Sequence, residues 1–181
     1  MDTLSSAHLN VYKELRRFWE QQVLWMRSFI ISSVDELDDL DQVAERLFRN
    51  ANDFLLLLQA VFGRRRAERF ASFITAHMSR IRELIAAMKS GDQENIDRLT
   101  AELYENAETM ASIFAMMNPF WQYEQWNLFL YNFVSLTIQQ IVARLARDHE
   151  EGIRIFDEVE NNIYRIADYM AEGIIYSFTQ N

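Results

Sequence analysis

An all-α fold, an antiparallel up-and-down bundle of about six helices in three hairpins, follows from three features of the sequence. Glycine occurs 4 times and proline once in 181 residues, too few for tight-turned sheets or glycine-rich phosphate loops. Apolar residues recur in steps of three and four along nearly the whole chain, the period of a helix buried on one side. The breaks between these periodic stretches are short, which places consecutive helices side by side and antiparallel.

The periodicity and its punctuation predict helices over 7–33, 39–62, 64–89, 92–117, 119–147 and 150–178. Asp35, Glu36, Asp38, Asp39 and Asp41 precede the second helix, where the helix dipole favours negative charge. They lack the glycine and the terminal glutamate of an EF-hand loop, and read as a solvated helix start. Gly63 and Gly91 each follow an apolar or basic last turn and suit a left-handed helix stop. Asp92 is placed to cap the fourth helix. Asn118-Pro119 separates the fourth helix from the fifth, and Asp148, His149 and Glu150 separate the fifth from the sixth. Arg64, Arg65 and Arg66 read as a solvated start of the third.

Half of the residues are hydrophobic and a quarter charged, enough apolar surface for the core of one domain spanning 1–181. A net charge of −9 disfavours duplex nucleic acid and anionic membranes, whose binding needs cationic neutralisation. Without cysteine there is no disulfide, thiolate zinc site or thiol nucleophile. The stretch from Met1 to Asn10 lacks the basic-then-apolar pattern of a signal peptide. The uninterrupted apolar runs, such as Phe54 to Leu58, fall short of the roughly 20 residues of a bilayer span. A soluble, cytoplasmic protein is expected.

One polar feature interrupts the seams. Val43, Leu47, Asn50, Phe54, Leu57 and Val61 line the second helix. Ile96, Leu99, Leu103, Asn106, Met110, Ile113 and Met117 line the fourth, and Ile155, Val159, Asn162, Ile166 and Tyr169 the sixth. Each carries one asparagine near its middle, and the three asparagines stand 56 residues apart. Gln22, His77 and Phe133 take the matching places on the odd helices, 55 and 56 residues apart, as in a repeated hairpin. Folding the hairpins at ~1.5 Å per residue brings Gln22, Asn50, His77, Asn106 and Asn162 to one level, with Phe133 as the apolar member.

Such a layer has two readings. Buried carboxamides that bond one another fix helix register at some cost in stability. Alternatively, Gln22, Asn50, His77, Asn106 and Asn162 form a mid-bundle site for a small ligand. A lone imidazole among carboxamides is a poor transition-metal shell, and no Glu-x-x-His pair of the di-iron bundles occurs. Elsewhere, Arg27, Arg46 and Arg49 flank the seams, Arg49 being placed to pair with Asp53. Trp19, Trp25, Trp121 and Trp126 read as packing residues with bonded indole nitrogens, and Met110, Met116 and Met117 as gap-filling core. His8, His77 and His149 are far apart, and no nucleophile or acid–base pair is legible.

The stretches FWEQQVLWMRSFIIS from Phe18, RLFRNANDF from Arg46, FITAH from Phe73, AMKSGD from Ala87, YENAETMA from Tyr104, NPFW from Asn118 and IADYMAEGII from Ile166 are short but spread over nearly the whole chain. Together they resemble a family of small all-helical proteins of spore-forming bacteria that often carry an acetylglutamate-kinase label. That label conflicts with a chain lacking an α/β sheet pattern and phosphate loops. The resemblance implies a loosely ferritin-like bundle. It also implies histidines where this chain has Gln22 and Phe133, as well as at His77, so that a family metal site would here be degenerate.

These features make the chain a non-enzymatic bundle acting through protein–protein contacts, with an unidentified partner or as a homo-oligomer. The alternative is a small-ligand or degenerate metal-binding bundle. No cofactor, catalytic residue, nucleic acid or membrane partner is implied.

Overall fold

The computed structural model describes residues 6–179. The first five residues, half of the stretch read against a signal peptide, lie outside the described residues. Six helices follow one another: α1 (Ser6–Asp35), α2 (Leu40–Phe62), α3 (Arg64–Ser90), α4 (Gln93–Met117), α5 (Tyr123–Leu145) and α6 (His149–Thr179). Each packs on the next, and α6 returns to pack along α1. The all-α up-and-down bundle is therefore what the chain forms. Its interior is not symmetric, because α1 also packs against α3 and α5 and occupies the middle of the assembly.

The seams account for the core. Leu47, Phe54, Phe70, Ile81, Leu103, Ile163 and Ile166 are fully buried. Phe54 stands in a file of rings, with Trp19 at 5.2 Å and Phe70 at 5.2 Å, and Phe114 lies 5.2 Å beyond Phe70. Edge and tilted contacts of this kind add to the area that the rings bury. Met116 departs from its expected core place and is 68 % exposed, while Met110 and Met117 are buried. Three of the four tryptophans also differ from expectation. The indole nitrogens of Trp19, Trp121 and Trp126 are buried without hydrogen-bond partners, and only Trp25 donates, to Gln21 Oε1 at 3.1 Å. Aromatic neighbours surround the buried indoles in place of acceptors.

The connections hold the expected helix breaks, with differences at Gly63, in the acidic run and at the start of α5. Asp92 caps α4 by accepting from Asn95 N at 3.2 Å, and Gly91 takes the left-handed conformation with φ 69° and ψ 24°. Gly63 has φ 80° but ψ 160°, outside that well, because the chain turns directly from α2 into α3. The acidic run is not only a solvated start. Ser32 donates to Asp39, Asp35 pairs with Arg144 of α5, and Glu36 pairs with Lys89 of α3 at 2.6 Å, so these carboxylates tie the ends of α1, α3 and α5 to the start of α2. On the surface of α2, Arg49 pairs with Glu45 at 3.2 Å rather than with Asp53.

Helix α5 starts four residues later than the sequence predicts. Asn118 Oδ1 accepts from Phe120 N at 3.0 Å and Asn118 O accepts from Trp121 N at 3.1 Å, a side-chain-supported turn that competes with helix. The turn buries Trp121 among Phe62, Phe114 and Trp126. The indole lies against α6 at Gly173, where a Cβ would stand 1.9 Å from Trp121 Nε1. Tyr169 Oη, also on α6, accepts from Gln122 N at 2.7 Å. Contrary to the run-length reading, α5 is long and apolar enough to cross a membrane by length and composition, and half of that stretch is buried inside the bundle. Apolar residues here wrap most of the helix circumference rather than forming one run.

Candidate functional site

The residues of the predicted layer are all buried. Gln22 is 1 % exposed, Asn50 2 %, His77 6 %, Asn106 8 % and Asn162 6 %. Their positions on the seams dictate this, since each replaces an apolar residue in a series that faces inward.

Four of the five meet. Trp19 and Gln22 of α1, Ile74 and His77 of α3, Asn106 and Met110 of α4, and Phe133 of α5 surround one small cavity. The Phe133 ring lies 5.8 Å from the imidazole, centroid to centroid. Asn50 joins from α2 through Gln22, to which its amide donates at 3.5 Å, the long end of a hydrogen bond. Arg46 completes that side. Its guanidinium donates to Asn50 Oδ1 at 2.6 Å and to Gln21 Oε1 at 3.1 Å, and stacks 5.0 Å from the centre of Trp25. A cation thus closes the layer toward solvent, one turn before the asparagine that it holds.

Asn162 is separate. Its amide donates to the carbonyl of Phe129 at 3.1 Å, and its other neighbours line a groove on the outside of α5 and α6. Asn162, one helical turn from Phe133 through its bond to Phe129, therefore faces away from the cavity that Gln22, His77 and Asn106 border and acts as a helix–helix clip. The physical reason is the central placement of α1, which leaves α6 packed on α1 and α5 and turned away from the cavity.

Electrostatics in the cavity are those of a neutral site. Burial holds the His77 imidazolium pKa down from 6.5 to about 4, the nearby Arg80 charge pushes the same way, and the Asn106 side chain partly opposes them. Among the described residues, neither His77 Nε2 nor Asn106 Oδ1 has a partner of good hydrogen-bond geometry, although the two side chains are close enough to interact. The space between them is about 10 Å³ for the centre of a water-sized molecule, room for one. Among the described residues, no group of three or more His, Asp or Glu side chains converges as metal ligands do.

Two larger features were not legible in the sequence. One is a cleft of about 270 Å³ between α1, α5 and the start of α6, with Arg27 and Gln140 in its walls. The other is the outer face of α5, where Leu128 is 50 % and Val142 51 % exposed. Its signal was present, since no charged residue lies between Glu124 and Arg144. The helix period alone could not say which part of so apolar a helix faces outward.

Comparison with family models, curated proteins and solved structures finds no match to this chain. The fold and its sites therefore rest on the chain's own residues.

Proposed function

We propose that this bundle acts through protein–protein contacts, first with a second copy of itself, and that the outer face of α5 makes them. The observation that carries this reading is that α5 itself has no charged residue between Glu124 and Arg144, although Glu108 of α4 accepts from Tyr131 and Glu151 of α6 borders the same groove as Val142. Leu128, Tyr131, Ser135, Ile138 and Val142 follow one another in steps of three and four, all exposed or half-buried. Exposed apolar side chains also occur at Leu56, Met116, Ile153 and Phe178, but on helices whose own outer faces carry charge, such as Glu45 on α2, Glu105 on α4 and Asp157 on α6. Depletion of charge, more than apolarity as such, marks the centre of a contact surface. On a chain of net charge −9, two copies meet with least repulsion through a charge-poor face. A two-fold arrangement then lets the same stripe serve both partners.

The resemblance of the short stretches to spore-former bundles agrees with this reading. If the family site holds metal, a member with Gln22 and Phe133 in place of histidines is left with a packing layer and an external surface. The one-water cavity beside His77 supports a register-fixing role for the layer over ligand binding.

Sedimentation equilibrium tests the proposal. At protein concentrations on the order of 100 μM the chain is expected to be dimeric. Val142→Glu, or Leu128→Glu with Val142→Glu, is expected to shift it to monomer while changing stability by no more than about 0.5 kcal/mol. A wild-type monomer at that concentration, or a dimer unaffected by both changes, contradicts the assignment.

A further inference from the structure

We propose that the cleft between α1, α5 and the start of α6 binds a small organic carboxylate with a short apolar body. Arg27 is the anchor. Its side chain is half-buried, with the guanidinium 4.4 Å from the centre of the Phe156 ring. Its one side-chain hydrogen bond among the described residues is a long one, Nη1 to the Gly152 carbonyl at 3.4 Å. No carboxylate stands within ion-pairing distance of it among the described residues, whereas Arg144 across the cleft is matched by Asp35. A guanidinium offers five N–H donors in a fork that fits a carboxylate, so Arg27 keeps its charge and most of its donors for a ligand.

A second, independent observation lies on the opposite wall. Gln140 of α5 is 8 % exposed and lines the cleft, yet no described residue hydrogen-bonds its carboxamide. The carboxamide atoms themselves are not sealed from solvent, so they stand open to a ligand in the cleft. His149 adds a donor. Arg144 Nη1 lies 3.2 Å from His149 Nδ1, and a guanidinium can only donate, so the ring proton belongs on Nε2. Ile30, Ile31 and Ile153 supply the apolar part of the wall. Asp148 also borders the cleft, but one of its oxygens accepts from Glu151 N at 3.0 Å and caps α6. The helix end is thereby already satisfied, and side chains rather than backbone carry the anion selectivity. At about 270 Å³ the cleft suits a ligand at the small end of the usual range.

The test is a heteronuclear NMR titration of the full chain with hexanoate, and with hexylamine as the probe of opposite charge. Saturable shifts are expected at the Gly152 amide and the Gln140 side-chain amide with hexanoate, with a dissociation constant on the order of 1 mM, and none with hexylamine. Arg27→Gln is expected to weaken binding about tenfold or more, the loss of a charge-assisted pair. Gln140→Leu is expected to weaken it by about threefold and decides the matter if Arg27→Gln proves unfolded. Absence of saturation with hexanoate, equal shifts with hexylamine, or unchanged affinity in the folded variants would overturn the assignment.

Discussion

Gly173→Ala is expected to destabilise the protein by about 3 kcal/mol, the upper end for overpacking a filled core. The added methyl would lie 1.9 Å from Trp121 Nε1 and 2.4 Å from Cδ1 of the same indole. Those atoms belong to a rigid ring held among Phe62, Phe114 and Trp126, so no flexible side-chain end can move away. The indole must leave its pocket, or α6 must shift from the α4–α5 connection. Urea unfolding measures the loss. Trp121→Leu alone also costs stability through the cavity it leaves. The two changes should couple, however, with Gly173→Ala costing about 1 kcal/mol or less in the Trp121→Leu background. Equal cost in both backgrounds would remove the indole–glycine contact from the account.

Acidification supplies the second large effect. His77 is neutral when folded, with a pKa of about 4 against 6.5 for an ordinary histidine. Between those values the unfolded chain binds a proton that the folded chain does not. Stability therefore falls as pH drops from about 6.5 to about 4, by about 3 kcal/mol in total, and is unaffected by this group above that window. His77→Leu should abolish this part of the pH dependence. It should also leave the fold intact near neutral pH and match or exceed wild-type stability by about 1 kcal/mol, because it removes a buried nitrogen without a partner of good geometry. Subtracting the variant's pH profile from the wild type's cancels His8, His149 and the carboxylates. A flat difference between about pH 4 and pH 6.5 would contradict the buried neutral ring.

Much of the fold was legible because each helix except α5 announces its buried side by period alone. The Val43–Leu47–Asn50–Phe54 series shows it: all four residues are buried where the spacing puts them. The same logic found the burial of His77 and the three asparagines. It could not find how many neighbours each helix has. Periodicity gives the direction of a seam and not what lies across it, so the central position of α1 and the separate place of Asn162 needed the packed helices. The late start of α5 was hidden for a different reason. Pro119 marks a helix break but does not show that Asn118 would build a turn of its own and send Trp121 inward. Gly173, in the interior of α6, was the available signal, since glycine there weakens a helix unless close approach requires it. The cleft beside Arg27 joins residues from three helices that only tertiary packing assembles.

If the mid-bundle layer is closed, neutral and structural, the outside of the bundle is left for contacts. Long-range ¹H–¹⁵N spectra of the His77 ring, recorded from about pH 8 down to about pH 5 with and without zinc, test that state of the layer most directly. A single neutral tautomer whose nitrogen shifts stay constant throughout, unchanged by the metal, is the predicted result. Protonation with a midpoint near the ordinary 6.5, or a zinc-dependent shift of a ring nitrogen, would contradict it.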